Sequence, residues 1–485
     1  MPGVVPPTHE DRVVATLSES IGGPVGAHAG RPRSRWWTPV GVLLLLTALV
    51  MAIGMVQKGD CYRQTWNNGD TRYTHMCYSD LPYLYTGRGF AELKWPYSGD
   101  ETTRSRYEVM EYPAGIAYWA WGTAWVTHWL AGSPDLTERA AQPPDDLWGE
   151  PGVTKEVRLF VVVNAVGFAA VALLACWLLA GVNRRRPWDA AAFALSPALL
   201  LTGLINWDLL AVVFVAGALW AWSRGRPALT GVMIGLGTAT KLYPLFLLGA
   251  LLVICWREKR WRDLAMAVGS AVIAWVLFNL PALAGGGAPQ WKVFWSFNSS
   301  RGADLGSLWL VVQQASGHTF SAHAINVWSW LLFGAWCLGV LAAGMLAPRT
   351  PRFAQLGLLI VVGFLVVNKV YSPQYVLWLL PLAVLARPRW RDQLIWQACE
   401  VLYFAGVWWY LAGELAPGSG TEAPFYWLTI VLRTVGELYL VGVVLRDMYA
   451  PGLDPVARTE EEDAVLAEAA ALGQSTEISS NVVVV

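Results

Sequence analysis

Long apolar runs, separated by short basic or polar breaks, organise this chain. The first, Trp36–Val56, has about the 20 residues that a helix needs to cross a hydrocarbon core. It follows a Pro/Gly-rich tail bearing Arg31, Arg33 and Arg35, and basic residues flanking a first span hold that flank in the cytoplasm. The run is too long and starts too late for a signal peptide. A polar stretch (57–112), an aromatic run (113–132) and an acidic connector (133–156) precede the next strong span, Val157–Gly181, which ends on Arg184-Arg185-Arg186. Short basic loops then recur at 184–186, 224–226, 257–263, 349–352 and 387–391, all expected on the cytoplasmic side.

Between several of these loops lie apolar stretches of roughly 30 to 35 residues, too long for one span and short for two. Each has a polar break near its middle: Asn206-Trp207-Asp208, Lys241-Leu242-Tyr243-Pro244, or Asn368-Lys369-Val370-Tyr371-Ser372-Pro373. The pattern predicts pairs of short helices meeting at the outer face, with the polar signature at the tip. A single long kinked helix is the competing interpretation, but both flanking loops are basic, which requires an even number of crossings. The same parity makes 113–132 begin and end outside, as a re-entrant or interfacial helix rich in Tyr and Trp; an ordinary span is the alternative.

The expected architecture is an all-α polytopic membrane protein of about 12 transmembrane helices, both termini cytoplasmic. A disordered tail (1–35) precedes a transmembrane domain (36–445). That domain carries a large outer loop (57–156) with juxtamembrane helices and a second outer loop at 285–324. A disordered acidic tail (446–485) follows, and nothing in the residues accounts for its terminal Val482–Val485.

Composition agrees. Of 485 residues 55% are hydrophobic and 14% charged, against about 25% charged in soluble domains, which leaves too little charge to cover a soluble surface. Disorder throughout, a collagen-like repeat and a disulfide-dense scaffold are excluded. Lys+Arg and Asp+Glu balance at 35 each, so no global field points to nucleic acid as a partner. Of the six cysteines, Cys176, Cys255, Cys337 and Cys399 fall in or beside spans, whereas Cys61 and Cys77 share the outer loop. A disulfide fits there; a metal pair is the weaker option, since only His75 is close.

Most basic residues belong to tails or cytoplasmic loops. Lys241 and Lys369 fall at hairpin tips, and Lys292 and Arg301 in the second outer loop. A cation at the edge of hydrocarbon is costly unless paired. Either it snorkels to headgroups or several share an anionic ligand such as a lipid-linked phosphate. Among the outer-loop acids Asp80 stands apart, in Tyr78-Ser79-Asp80-Leu81-Pro82-Tyr83, which reads as a helix start. It is either an N-cap or a reacting carboxylate. Asp208 has two similar readings, as a buried partner of a lysine such as Lys241 or as a direct participant.

The pieces Tyr78-Ser79-Asp80-Leu81 with Gly87, Glu111-Tyr112-Pro113, Arg186-Pro187-Trp188-Asp189, Asn206-Trp207-Asp208, Thr240-Lys241-Leu242-Tyr243-Pro244 and Asn368 through Tyr375 occur in order. Together they resemble glycosyltransferase family 87, the GT-C-type membrane mannosyltransferases of actinobacteria, over roughly residues 36–445. The resemblance implies a GT-C-type bundle and a polyprenyl-phosphate sugar donor, usually mannose. It also implies a lipid or glycan acceptor of the cell envelope, and chemistry at the outer face of the plasma membrane. It puts a catalytic acid in the first outer loop, here Asp80. Lys241, Tyr243, Arg301, Lys369 and Tyr371 are then the candidates for the donor phosphate, with Asn206, Asp208, Glu111 and Gln374 in support. No Asp-x-Asp metal motif occurs, so neither a metal nor another cofactor is expected. A pentose such as arabinose is not excluded as the sugar. A transporter or lipid-linked-sugar flippase is the competing class; it would cluster its polar groups at the midplane and repeat one half in the other, and no such repeat is evident.

Overall fold

The computed structural model describes residues 4–6, 11–22, 37–67, 69–415 and 423–471, and these form an all-α polytopic membrane protein without a β-strand among them. Five stretches are long and apolar enough to cross a bilayer: Pro39–Gln57, Pro151–Val182, Trp261–Ser300, Ala322–Leu346 and Pro424–Tyr449. The first, Pro39–Gln57 (α1), begins where Thr38 caps the backbone N–H of Gly41, with Pro39 in the first turn. In the loop that follows, the short helix Leu81–Gly87 (α2) packs near the bundle, and Cys61 and Cys77 are joined as a disulfide.

The aromatic run forms Ala114–Leu130 (α3). Its Ala/Gly face is buried while Trp125 and Trp129 stay exposed. Gly115 lets α3 approach closely, since a Cβ there would lie 2.5 Å from the Thr240 hydroxyl. Next comes Pro151–Val182 (α4), a 32-residue helix anchored by the buried pair Arg139–Glu156.

Each apolar stretch with a polar middle folds as short helices meeting at a break. Leu209–Ser223 (α5) starts after Asn206-Trp207-Asp208. Pro227–Thr240 (α6) stops at Lys241, whose backbone is extended, and the chain resumes as Leu247–Glu258 (α7) after Pro244. Trp261–Trp291 (α8) packs so closely on α6 that a Cβ on Gly231 would lie 2.0 Å from the Ala267 carbonyl. The second predicted loop is built from a break at Gly287, from Val293–Ser300 (α9) and from the Leu308–Ser316 helix. Ala322–Leu346 (α10) follows, then Phe353–Val367 (α11), which ends at Asn368 and resumes as Val376–Ala386 (α12). Trp390–Leu411 (α13) and Pro424–Tyr449 (α14) complete the bundle.

Lengths explain what the breaks accomplish. At 1.5 Å per residue, helices of 11 to 15 residues reach roughly 17 to 23 Å, against ~30 Å of hydrocarbon. Each of these helices is therefore shorter than the hydrocarbon, and much shorter than the 32-residue α4. The basic turns gather at the other end of the bundle, where Arg184, Arg260 and Arg352 line one small cleft.

Parts of both expected tails are structured. Arg12–Gly22 is helical, and Asp11 accepts a hydrogen bond from the Trp390 backbone N–H at 2.8 Å. At the other terminus α14 runs on to Tyr449, and Pro455–Ala471 forms a further helix. The acidic residues there act as counter-charges to the basic turns: Arg352 binds Asp454 at 2.8 Å and Arg387 binds Asp447 at 2.6 Å. The remaining tail residues, 1–3, 7–10, 23–36 and 472–485 (including Val482–Val485), lie outside the described residues.

Candidate active site

The helix ends at the breaks enclose a cavity of about 660 Å³. One wall is polar and comes from the first loop and the breaks: Tyr78, Asp80, Glu111, Asn206, Lys241 and Gln374. Aromatic rings line other parts of the cavity, with Phe294, Trp295 and Phe297 on α9, Trp330 and Phe333 on α10, and Phe364 on α11. An amphipathic molecule fits such a space, with its polar part against the first wall.

Asp80 precedes α2 but does not cap it, because its backbone is helical and its carboxylate makes no capping bond. The side chain is held elsewhere. The Tyr112 hydroxyl and the Asn206 amide each donate to Oδ2 at 3.2 Å, and the Asp80 N–H donates to the Ile205 carbonyl at 2.8 Å. Ser79 fixes the same junction by donating to the carbonyls of Leu204 and Ile205, both at 3.0 Å. The loop and the α5 break are thus one unit. Burial pushes the Asp80 carboxyl above its usual range, while hydrogen bonds from Tyr78, Asn206 and Tyr112 and the nearby Lys241 charge pull it back.

Three cations open on the same space. Lys241 lies 3.3 Å from Asp208 Oδ1 and within 4.8 Å of the Tyr112 ring centroid, with Tyr375 and Trp378 around it. Lys369 donates to the Asn298 carbonyl at 2.5 Å and to Asn326 Oδ1 at 2.6 Å. Arg301 donates from Nε to Asp304 Oδ2 at 2.7 Å. The segments carrying these last two cations are laced together, Asp304 N–H to Lys369 O and Tyr371 N–H to Leu305 O, both at 2.8 Å. Gly306 permits this approach: its φ is +73°, and a Cβ would lie 2.3 Å from the Tyr371 carbonyl.

Of the residues predicted from sequence, Asp80, Glu111, Asn206, Lys241, Arg301, Lys369 and Gln374 converge on the cavity. Glu111 is held by Arg88, which donates at 2.8 and 3.1 Å. Asp208 is wholly enclosed behind Lys241, where Trp378 donates to it at 2.6 Å. Tyr243 and Tyr371, expected to meet a phosphate, do not line the cavity. Tyr243 stacks on Trp378 at 4.6 Å, and Tyr371 donates its hydroxyl to Glu400 at 3.0 Å. Both rings face inward because their own helix breaks turn them into the bundle. Lys292 is exposed and also absent from the lining.

Sequence reasoning passed over Tyr112, Asn298, Asn326 and Trp378, and over a buried network on α13 and α14. There Arg433 lies 3.6 Å from the Tyr371 ring centroid, donates to Glu437 at 2.9 Å and reaches the Gly306 carbonyl at 3.2 Å. A signal existed, since Glu400, Arg433 and Glu437 are ionisable residues inside apolar helices. Among the described residues no three His, Cys, Asp or Glu side chains converge as a metal site.

Fold and cavity together define a polytopic membrane protein with a pocket lined by an acid, three cations and aromatic rings. Residues 153–368 match the model of glycosyltransferase family 87, in agreement with the resemblance that the motifs carry. That match identifies the stretch as a family 87 region and, with the apolar helices, supports a membrane glycosyltransferase. It contains Asn206, Asp208, Lys241 and Arg301, whereas Asp80 and Glu111 precede it and Lys369 and Gln374 follow it. No curated protein sequence matches the chain.

Proposed function

We propose that this cavity performs inverting transfer of a hexose, mannose in the first instance, from a polyprenyl-phosphate donor to a lipid or glycan acceptor. The reaction is set at the outer face of the plasma membrane, with both termini cytoplasmic. One observation carries the reading: a carboxylate raised by burial and three cations open on the same half-aromatic recess.

In the reaction, Asp80 takes the proton from an acceptor hydroxyl whose oxygen attacks the anomeric carbon. The bond from that carbon to the phosphate oxygen breaks, and the electron pair leaves with the polyprenyl phosphate. Lys241, Lys369 and Arg301 meet the charge that develops there, a stabilisation worth most in a recess that excludes water. Because the leaving group departs as an anion, the scheme asks for no second carboxylate. The aromatic wall supports a lipid-linked donor, since it offers isoprenoid-like chain an apolar surface beside the cations.

The test is sugar transfer from labelled polyprenyl-phosphate mannose in membranes holding the protein. Wild-type transfer that is lost in a folded Asp80→Asn variant is expected. A folded variant with full activity overturns the assignment of the base.

A further inference from the structure

A ladder of aromatic rings leaves the cavity beside Asp80, and the transfer step makes no use of its far end. Trp408 and Tyr73, both on the cavity wall, stack at 6.0 Å with planes 15° apart. Tyr78 meets Trp408 at 5.2 Å and Tyr73 at 6.0 Å. The ladder continues from Tyr78 to Tyr83 at 5.6 Å and from Tyr83 to Trp148 at 5.4 Å, near-parallel at both steps. Tyr83 and Trp148 lie outside the cavity lining, and Trp148 belongs to the acidic connector that no other function absorbs. Trp408 is buried in the core, whereas Tyr73, Tyr78, Tyr83 and Trp148 pack against the core and are only partly buried, so the ladder runs from the core to the surface.

Near-parallel rings more than 5 Å apart are slipped sideways, so each step leaves part of a ring face uncovered. Ring faces carry partial negative charge, and the C–H bonds on the flat side of a sugar carry partial positive charge. A sugar therefore packs on such a face and keeps its hydroxyls for polar groups at the rim. That rim is present: the Arg72 guanidinium lies over Tyr73 and Tyr83 at 4.9 and 5.4 Å and donates to the Tyr83 hydroxyl at 3.0 Å. A hydrocarbon tail has no use for these polar groups, and the aromatic rings of α9, α10 and α11 in the cavity already serve it.

We propose that Trp408, Tyr73, Tyr78, Tyr83 and Trp148 form an acceptor subsite that binds a carbohydrate chain, one sugar to a step, and delivers its end to Asp80. The inference rests on the reading of Asp80 and the cavity as a transfer site, and it names the acceptor as an oligosaccharide.

The experiment uses the full chain in lipid nanodiscs and saturation-transfer NMR. The probes are linear manno- and arabino-oligosaccharides of one to four sugars. Binding in one series strengthens with length, and Trp148→Ala and Tyr83→Ala each weaken binding of the longer probes about tenfold, the loss of one ring contact. Tyr83→Phe keeps the ring and keeps binding. Binding that ignores length, binding that survives both alanine variants, or no binding in either series overturns the subsite. If transfer is measured while the ladder binds nothing, only the subsite falls. If the ladder binds and no sugar leaves the polyprenyl donor, the transfer reading falls and the subsite stands.

Discussion

Lys241 Nζ stands 3.3 Å from Asp208 Oδ1, and the carboxylate behind it is completely enclosed while the lysine edge reaches the cavity. The acid therefore cannot touch a substrate; it acts by holding the cation. Removing Lys241 (Lys241→Ala) is expected to lower transfer roughly 10²- to 10³-fold, the usual cost of losing one group aimed at developing charge. Asp208→Asn keeps an acceptor for Trp378 but strips the counter-charge. Unpairing a buried ion costs on the order of 3–5 kcal/mol, so the variant should melt earlier as well as transfer poorly. Thermal melts beside donor-dependence curves check this; an Asp208→Asn enzyme with wild-type stability and kinetics refutes the coupling.

The pH profile follows from the environment of Asp80. A base works only when deprotonated, and burial raises this carboxyl above the usual carboxylate range. Activity should thus fall on acidification through a midpoint higher than an exposed aspartate gives. Asn206 and Tyr112 donate to the charged form. Asn206→Ala and Tyr112→Phe each remove such a donor and should move the acid limb to still higher pH. Profiles of kcat/KM for the three proteins test the sign: a limb that moves down in either variant contradicts the assignment.

How much of this could be read from sequence differs by feature. The helix breaks at Asn206–Asp208, Lys241–Pro244 and Asn368–Pro373 were legible because polar and Pro residues interrupt apolar runs at a spacing no single span allows. Their convergence on one cavity was not, since it depends on packing between segments far apart in the chain. Lys241, Lys369 and Arg301 were legible as cations away from the cytoplasmic loops, and Asp80 as a helix start within the family resemblance; the structure brings all four to one cavity. Tyr243 and Tyr371 misled because adjacency to a lysine in sequence says nothing about which way a ring turns at a helix break. The structured part of the acidic tail escaped notice because Asp447 and Asp454 find their arginines only in three dimensions.

Arg433 lies among Tyr371, Glu437 and the Gly306 carbonyl, under the two segments that carry Arg301 and Lys369. Replacing it with methionine leaves two carboxylates in apolar surroundings without their cation. The expected loss is about 3–5 kcal/mol of stability, with weaker donor binding as the segments loosen. Donor titration and melting of Arg433→Met in nanodiscs measure both; unchanged values in each show the network to be dispensable.

The Cys61–Cys77 disulfide closes a loop of 16 residues in the region that carries Asp80. A loop of that size gives about 3 kcal/mol in the chain-entropy account. Reductant, or the Cys61→Ser/Cys77→Ser pair, should lower the melting temperature and blunt transfer together, while the buried Cys176 and Cys255 stay unreactive. Equal melting of oxidised and reduced protein contradicts the prediction.

Lys58 supplies a second pH effect with its own sign. Its amine is almost fully enclosed after α1 and donates to the Tyr78 carbonyl at 3.0 Å. Burial pulls its pKa down to about 7. The unfolded lysine titrates near 10.4, so between those two values the unfolded chain keeps a proton that the folded chain has shed. Stability must therefore rise with pH across that window and run flat below it. At 1.36 kcal/mol per pKa unit the full rise is of order 4–5 kcal/mol. Lys58→Met cannot titrate, so its melting temperature should lose this alkaline rise and exceed that of the wild type at pH 7. Melts from pH 6 to 10 in one lipid environment decide the matter, and a methionine variant that keeps the wild-type slope places the titration elsewhere.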